Sequence, residues 1–224
     1  LNYNFKERYL FEANVRFDGS SRFAKGHQWG VFPSFSGAWR MSEEPWMNEV
    51  KHILTEMKVR ASYGTLGNQN ISSSNYPFAE LLNMDIYSVN DVLVPAAYRS
   101  SLANEGITWE TSEMTDVGVD LSLWNKFTVT ADWYLKNTHG ILMTLNIPLS
   151  TGLGAPYRNA GEVRNVGWEI AAGYHNSWGD FRFGFDANFS DVVNTITEMD
   201  GQYESKSGGI IRNQEGSSIN SIYG

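Results

Sequence analysis

The 224-residue chain has a net charge of −8, no cysteine and an aromatic content of 14%. The acidic balance argues against a nucleic-acid partner, because no basic stripe is present to neutralise phosphates, and the lack of cysteine excludes disulfides and thiolate metal sites. No run approaches the roughly 18 apolar residues of a transmembrane helix, whereas transmembrane β-strands need only about 9–11 residues of alternating character and stay possible.

Seven segments alternate apolar and polar residues with the period of a β-strand. In chain order they cover residues 9–17, 29–41, 57–64, 114–124, 127–136, 166–175 and 181–190. In the first segment, Phe11 and Val15 alternate with Glu12 and Arg16. Several segments are about twice as long as the mean strand of soluble proteins, which has about 5–6 residues.

A helix is predicted between the second and third strands. Ser42 is a plausible N-cap, Glu43 and Glu44 stand in the first turn where they complement the helix dipole, and Pro45 follows near the start. The apolar residues that then recur at helical spacing are Trp46, Val50, Ile53, Leu54 and Met57. The pattern predicts a short amphipathic connector.

The connections between strands alternate in length. Long connections cover residues 19–28, 65–111 and 146–161, and short joints cover residues 125–126 and 179–180 with the predicted helix as a third. Long loops at one end and tight turns at the other are typical of outer-membrane barrels, whose short turns lie in the periplasm.

Two architectures fit this alternation, and they give opposite roles to the apolar face. A soluble β-sandwich, which would be a carbohydrate-binding protein, buries that face, whereas a membrane barrel turns it towards lipid. We favour the barrel, because the strands are long, because Trp124 and Trp178 precede the tight turns, and because bulky aromatics mix with alanine on the apolar faces. Phe11, Val15 and Phe17 are then expected to face lipid.

Several stretches resemble the SusC/RagA group of TonB-dependent outer-membrane transporters of Bacteroidetes. They keep their order and spacing from about Tyr9 to Gly224. In chain order they are VRFDGSSRFAKGHQWGVFPSFSGAWRMSEEPWM, KVRASYGTLGNQNI, ITWETSEMTDVGVDL, WYLKNTHGIL, NAGEVRNVGWEI and GSSINSIYG. In the last stretch, Ser218 stands where the group commonly has proline.

The resemblance implies an all-β fold, in which residues 1–224 are a segment of an antiparallel transmembrane barrel of about 22 strands with a plugged lumen. It also implies one short periplasmic helix, a SusD-like surface lipoprotein as partner, outer-membrane lipid around the wall, and import of an oligosaccharide or a peptide energised through TonB. A passive outer-membrane barrel stays an alternative. We expect the chain to be an internal piece, with the plug domain and the closing strands outside it.

Two sets of residues are candidates for contact with substrate. Polar residues of the strands are expected to face the lumen, where they hydrate the interior, bond to the plug or touch substrate: Glu12, Arg16, Arg40, Arg60, Asp132, Glu169 and Asp186. Aromatic residues of the long loops are candidates for ligand binding, because tyrosine offers both a ring and a hydroxyl: Tyr76, Phe78, Tyr87, Tyr98 and Tyr157.

No catalytic, metal or cofactor site is predicted. The four histidines are scattered without the spacing of metal ligands, and neither an EF-hand loop nor a G-x-S-x-G nucleophile elbow occurs. The turns DGSSR and EMDGQYE, which begin at Asp18 and Glu198, are interpreted as turn chemistry rather than cation sites. The sequence therefore predicts a transporter segment and no enzyme.

Overall fold

The chain is described by a computed structural model over residues 1–71, 75–144, 147–206 and 209–222. The strands are β1 (Asn2–Phe5), β2 (Tyr9–Gly19), β3 (Trp29–Arg40), β4 (Leu54–Asn68), β5 (Leu82–Val89), β6 (Val92–Arg99), β7 (Glu110–Leu123), β8 (Phe127–Thr144), β9 (Tyr157–Trp178), β10 (Phe181–Glu198), β11 (Glu204–Lys206), β12 (Ile211–Asn213) and β13 (Ser221–Ile222). Eight of them form one antiparallel sheet in the order β1-β2-β3-β4-β7-β8-β9-β10. The sheet is a meander, interrupted only by the separate β5–β6 hairpin between β4 and β7.

All seven predicted strands are present, and most are longer than the alternation indicated. β9 has 22 residues and β8 and β10 have 18 each. The hairpin β5–β6 and the short strands β1 and β11–β13 were not predicted. The hairpin lies within residues 65–111, which the sequence assigned to a loop. Residues 72–74 of that loop, together with residues 145–146, 207–208 and 223–224, lie outside the described residues.

The predicted amphipathic helix is wrong. The segment forms two short 3-10 turns, Met41–Glu43 and Pro45–Met47, and Ser42 makes no capping hydrogen bond. Glu44 is extended, with φ −74° and ψ 143°, because a residue that precedes proline is pushed out of the helical region. Met57 pairs with Leu121 in the sheet instead of continuing a helix. Among the described residues, no helix is long and apolar enough to cross a membrane.

Tight turns collect at one end of the sheet, which we call the turn end. Trp124 and Asn125 have φ values of 51° and 54°, as do Lys6 and Glu7 at 53° and 56°, and two positive φ values are typical of the type I′ hairpin turn. Trp124 therefore lies in the turn rather than at the end of its strand. Gly179 supplies the positive φ between β9 and β10.

The long connections leave the opposite end, which we call the loop end. Phe23, Ile71 and Ile107, from three different connections, are almost fully buried against one another. A second small cluster joins Val163, Ile196 and Met199. The buried apolar residues of the described chain therefore lie mainly at the loop end, away from the middle of the sheet.

The register gives the sheet one apolar and one polar face. Cross-strand partners share a face, and one apolar row runs Tyr9, Trp39, Val59, Val119, Ala131, Ile170 and Phe189. Large side chains of this face are exposed, for example Phe17 at 68% and Phe185 at 70%. A soluble sandwich would cover this face, so that alternative is wrong.

Candidate functional site

The polar face of the sheet carries all seven polar residues that the sequence singled out. A row of cross-strand partners on this face runs Leu10, Ala38, Arg60, Gly118, Asp132, Glu169 and Ser190. Glu12 and Arg16 on β2, Arg40 at the end of β3 and Asp186 on β10 share the parity of that face. The alternation therefore assigned these residues to a common face.

Arg60 is the centre of this face. Its Nη2 lies 2.6 Å from Asp132 Oδ1, its Nε lies 3.2 Å from Asp120 Oδ2, and its Nη1 lies 3.5 Å from Asp116 Oδ1. Lys58 Nζ adds a second cation 3.5 Å from Asp120 Oδ2. One guanidinium therefore ties β4, β7 and β8 together, because its planar fork presents donors in several directions.

Gly118 makes the space for this cluster. A Cβ atom at position 118 would lie 2.2 Å from Asp132 Oδ1 and 2.7 Å from Arg60 Cζ. Any side chain there would separate Arg60 from Asp132, which lie on the strands on either side. The cluster therefore depends on the absence of a side chain as well as on the charges.

The other polar residues form separate local pairs. Arg16 Nη2 lies 2.7 Å from Asp18 Oδ2, and His175 Nε2 lies 3.3 Å from Asp186 Oδ2. Arg40 Nη2 lies 3.7 Å from Glu43 Oε1. These pairs are spread from one end of the sheet to the other, so the seven predicted residues share a face but do not converge on one site.

The five aromatic candidates separate into two groups. Phe78 and Tyr157 are partly buried against the Phe23 cluster, and Tyr76 contacts Phe78 edge-on with the ring centroids 6.4 Å apart. Tyr87 and Tyr98 lie on the same face of the β5–β6 hairpin and are exposed. Phe78 and Tyr157 thus contribute to packing of the loops, whereas Tyr76, Tyr87 and Tyr98 present exposed rings.

Three side chains that the sequence did not single out join the long loops. Asn159 donates from Nδ2 to the carbonyls of Thr108 and Gly140, each at 2.9 Å, and its Oδ1 accepts from the Thr108 amide at 2.8 Å. Asn104 and Trp109 donate to the carbonyls of Tyr157 and Gln28 respectively. Single asparagines in loop sequence carry no periodic signal, so only the structure shows this role.

Glu44 organises the turn end. Its carboxylate accepts hydrogen bonds from Tyr9 Oη at 2.7 Å and Trp39 Nε1 at 3.1 Å, and it lies 3.5 Å from Arg8 Nη1. The hydrogen bond from Tyr9, then that from Trp39, lowers the pKa of Glu44 below its ordinary value. The sequence interpretation of Glu44 as a helix-dipole residue is wrong, since the residue joins β2, β3 and the connector.

The aromatic side chains form a band near the turn end. Tyr9 stacks on Trp39 with centroids 6.4 Å apart, and Phe127 contacts Tyr174 at 4.3 Å. Trp178 beside the last turn is 87% exposed. Such aromatic girdles mark the boundary between hydrocarbon and water in membrane barrels. Within the described residues, no group of three or more histidine, aspartate or glutamate side chains has the geometry of a metal site.

Comparison with known sequences agrees with this geometry. Residues 1–216 match the family described as TonB dependent receptor-like, beta-barrel. TonB-dependent receptor P3 of Formosa agariphila is 32% identical over 237 residues, which cover 100% of this chain and 23% of that receptor. TonB-dependent receptor SusC of Bacteroides thetaiotaomicron is 32% identical over 212 residues, which cover 90% of this chain and 20% of that protein.

Solved structures share the fold. The RagAB peptide importer in its closed-closed state superposes with a TM-score of 0.86 at 23% identity, and the match covers 99% of this chain and 24% of that chain. The present chain thus spans about a quarter or less of these relatives, 20% to 24% of their length. Family match, sequence identity and fold agree: the chain belongs to the TonB-dependent receptor family of outer-membrane proteins and forms part of its β-barrel.

Proposed function

We propose that this chain is a wall segment of an outer-membrane importer that takes up an oligosaccharide or a peptide with energy transmitted through TonB. The observation that carries the proposal is the inverted exposure of the sheet: aromatic residues such as Phe17 and Phe185 are exposed, whereas the Arg60 cluster is partly buried. A barrel wall has this pattern, because lipid covers its apolar face and a polar interior lies behind it.

In this proposal the polar face lines the lumen. The Arg60 cluster and the Asp186–His175 pair meet a plug domain supplied by another part of the protein. The plug and the segment that contacts TonB lie in that other part, and their movement admits the substrate. The wall itself has no catalytic role here.

The β5–β6 hairpin is the part of the chain that we assign to contact with a surface lipoprotein partner. Both of its faces carry exposed apolar side chains, with Met84 and Ile86 at 72% and 66% on one face and Tyr87 and Val92 at 67% and 61% on the other. An isolated hairpin is marginally stable in water, and exposed apolar patches of this kind mark interaction sites.

The position of the hairpin favours a protein partner over lipid. Its base is held at the loop end, where Gly154 donates to Ser100 at 2.8 Å and accepts from Leu102 at 3.1 Å. The exposed apolar band of the sheet lies between the loop end and the turn end, so the hairpin extends from the end opposite the turn-end girdle. A SusD-like lipoprotein of the kind predicted from the sequence fits that position.

Uptake in cells tests the import proposal. Cells that express the full-length receptor should accumulate a labelled peptide pool or a labelled maltooligosaccharide pool, and deletion of TonB should abolish that accumulation. Uptake that continues without TonB would instead identify a passive barrel. Uptake of neither pool under any condition would contradict import of these substrates.

Co-purification tests the hairpin. Ile86→Asp with Leu93→Asp places two charges on one face of the hairpin and should remove the lipoprotein from the purified receptor. Ser21→Asp, at an exposed position of another loop, is the matched control and should leave the complex intact. Equal recovery of the lipoprotein with both variants would show that the hairpin is not the contact.

A further inference from the structure

The connector between β3 and β4, residues 41–53, leaves apolar side chains uncovered at the turn end. Trp46 is 59% exposed, and Val50 and Ile53 are 41% and 39% exposed. Ser42 and Met47 of the same segment are buried, so the connector is packed in place and still keeps three apolar groups outside. Exposed apolar groups gathered on one segment mark a surface that another molecule covers.

The connector begins beside the apolar face of the sheet. Glu44 accepts hydrogen bonds from Tyr9 Oη at 2.7 Å and from Trp39 Nε1 at 3.1 Å. Tyr9 and Trp39 are cross-strand partners in the apolar row of β2 and β3. Because Trp46 follows Glu44 by two residues, it enters the connector from the side on which these aromatic rings lie.

The connector also ends beside this face. The amide of Trp124 donates to the carbonyl of Ile53 at 2.8 Å, and the ring of Trp124 contacts Phe127 edge-on with the centroids 6.1 Å apart. Phe127 belongs to the apolar face, because it pairs with Leu123 and Tyr174. Both ends of the connector are therefore continuous with the aromatic band of the turn end.

The charged groups of the connector lie towards the other face. Glu43 accepts from Lys51 Nζ at 2.9 Å and lies 3.7 Å from Arg40 Nη2, and Arg40 pairs with Lys58 in the polar parity of β3 and β4. Glu49 is exposed and forms no ion pair within the described part of the chain. The two neighbouring glutamates at 43 and 44 thus separate a charged side of the connector from a side that adjoins the aromatic band.

We propose that the connector lies on the phospholipid surface of the periplasmic leaflet, with Trp46, Val50 and Ile53 at the boundary between headgroups and acyl chains. The inference rests on the barrel placement in the proposed function and is independent of TonB and of the substrate. Tryptophan is enriched at this boundary, because its ring is apolar and its indole N–H bonds to headgroups or water. Amphipathic surface segments bury their apolar side by about 5–10 Å into it.

Continuity with the aromatic band favours lipid over a protein as the covering molecule. The band marks the level at which hydrocarbon meets water around the barrel, and the connector is joined to it through Glu44 at one end and through Ile53 at the other. The bilayer is therefore the neighbour that these uncovered side chains meet first. The long stem of Lys51 lets its ammonium stay in the headgroup layer while the apolar groups enter the boundary.

Fluorescence quenching in vesicles of phosphatidylethanolamine and phosphatidylglycerol tests the assignment on the full-length receptor. The chain has no cysteine, and any cysteine outside it is replaced by serine, so that Trp46→Cys carries a single bimane probe. Quenchers are a lipid with a nitroxide near the headgroup, a lipid with a nitroxide near the end of the acyl chain, and iodide in water. The shallow nitroxide should quench this probe about twofold more than the deep one.

Glu49→Cys is the matched control on the same connector, because an unpaired carboxylate belongs in water. Iodide should quench the Trp46 probe about threefold less than the Glu49 probe. Val15→Cys, at an exposed position of the apolar face, calibrates depth and should be quenched most by the deep nitroxide. Should Trp46→Cys not assemble, Val50→Cys carries the test with the same expected results.

Equal quenching of the Trp46 and Glu49 probes by iodide, without quenching by lipid, overturns the inference. Quenching of the Trp46 probe by neither lipid nor iodide also overturns it, since a protein would then cover the connector. With a lipid-quenched Val15 probe, either result leaves the barrel placement intact. A Val15 probe that only iodide reaches contradicts that placement itself.

Discussion

At the scale of single residues, the polar face is organised by one arginine and one glycine. Arg60 reaches three aspartates because Gly118, its cross-strand partner on β7, has no side chain and leaves room for Asp132. Alternation in the sequence predicted the face on which Arg60 and Asp132 lie, because side chains in a strand alternate strictly. It did not predict that they meet, since the pairing of β4 with β7 across a connection of more than 40 residues leaves no local signal.

Arg60→Met is expected to destabilise the receptor by about 2 kcal/mol, because three partly buried carboxylates lose their main counter-charge. The measurement is the midpoint of urea unfolding in lipid vesicles. Lys58→Met is the control: among the described residues Lys58 forms one ion pair, with Asp120 at 3.5 Å, and its loss should cost about 1 kcal/mol or less. Equal effects of the two substitutions would show that Arg60 is not the centre of the cluster.

Glu44 gives the turn end a pH dependence. Its pKa is lowered in the folded chain from an ordinary value of 4.5, so the stabilisation by the ionised carboxylate is present above that value and is lost as the pH falls through the folded pKa. Glu44→Gln should therefore be less stable than the wild type at pH 7, and the difference should shrink as the pH falls through the lowered pKa of Glu44. Glu49→Gln serves as the control, and a difference that stays constant with pH would contradict this account.

At the scale of elements, the apolar band crosses the strands obliquely. On β2 the uninterrupted exposed apolar run extends from Tyr9 to Phe17, and on β10 it extends from Phe181 to Phe189. Phe189, the last residue of its run, lies in the same cross-strand row as Tyr9, the first of its run. A level membrane produces this offset when the strands are tilted, as they are by about 35–45° in outer-membrane barrels.

The tilt also accounts for Asp191. It continues the apolar parity of β10 and pairs with Trp168, which would put a carboxylate on the lipid face. Because the uninterrupted apolar run of β10 ends at Phe189, Asp191 lies beyond it towards the loop end, where Val193 resumes the apolar parity at 61% exposure. The presence of these strands was predictable from periodicity, whereas the offset of the apolar band between strands is visible only from the register.

Gly140 lies at an irregularity of β8 that the sequence did not predict. Its φ is 60°, and the register of β8 shifts beside it, between Thr138 and Ile141. Ile141 and Met143, which pack against the Val163 cluster, follow it. Gly140→Ala should destabilise the receptor by roughly 1–2 kcal/mol, since a side chain is strained at positive φ. The midpoint of urea unfolding measures this destabilisation.

Gly37→Ala is its control, because Gly37 has no positive φ and the nearest atom to its added Cβ is 3.9 Å away. It should change the unfolding midpoint little. If the two substitutions lower the unfolding midpoint equally, the positive φ of Gly140 is not what shapes β8. The β5–β6 hairpin was missed for a different reason, since apolar side chains lie on both of its faces and its strands show no regular alternation.

At the scale of the whole molecule, the sheet is inside out relative to a soluble protein. Its charged clusters lie on the sheltered face and its aromatic side chains on the exposed one. The sequence predicted this arrangement from strand length, loop asymmetry and the position of tryptophan. It did not reveal the loop-end clusters, because Phe23, Ile71 and Ile107 come from separate connections without periodicity.

The most direct test of the account compares two neighbouring residues of β2 in the full-length receptor. Val15 is 56% exposed on the apolar face, and Asn14 faces the other way beside Ser34. Val15→Arg should reduce the stability of the membrane-assembled receptor by about 2 kcal/mol, whereas Asn14→Arg should be tolerated. Greater sensitivity at Asn14 than at Val15, measured by urea unfolding in vesicles, would show that the apolar face does not contact lipid.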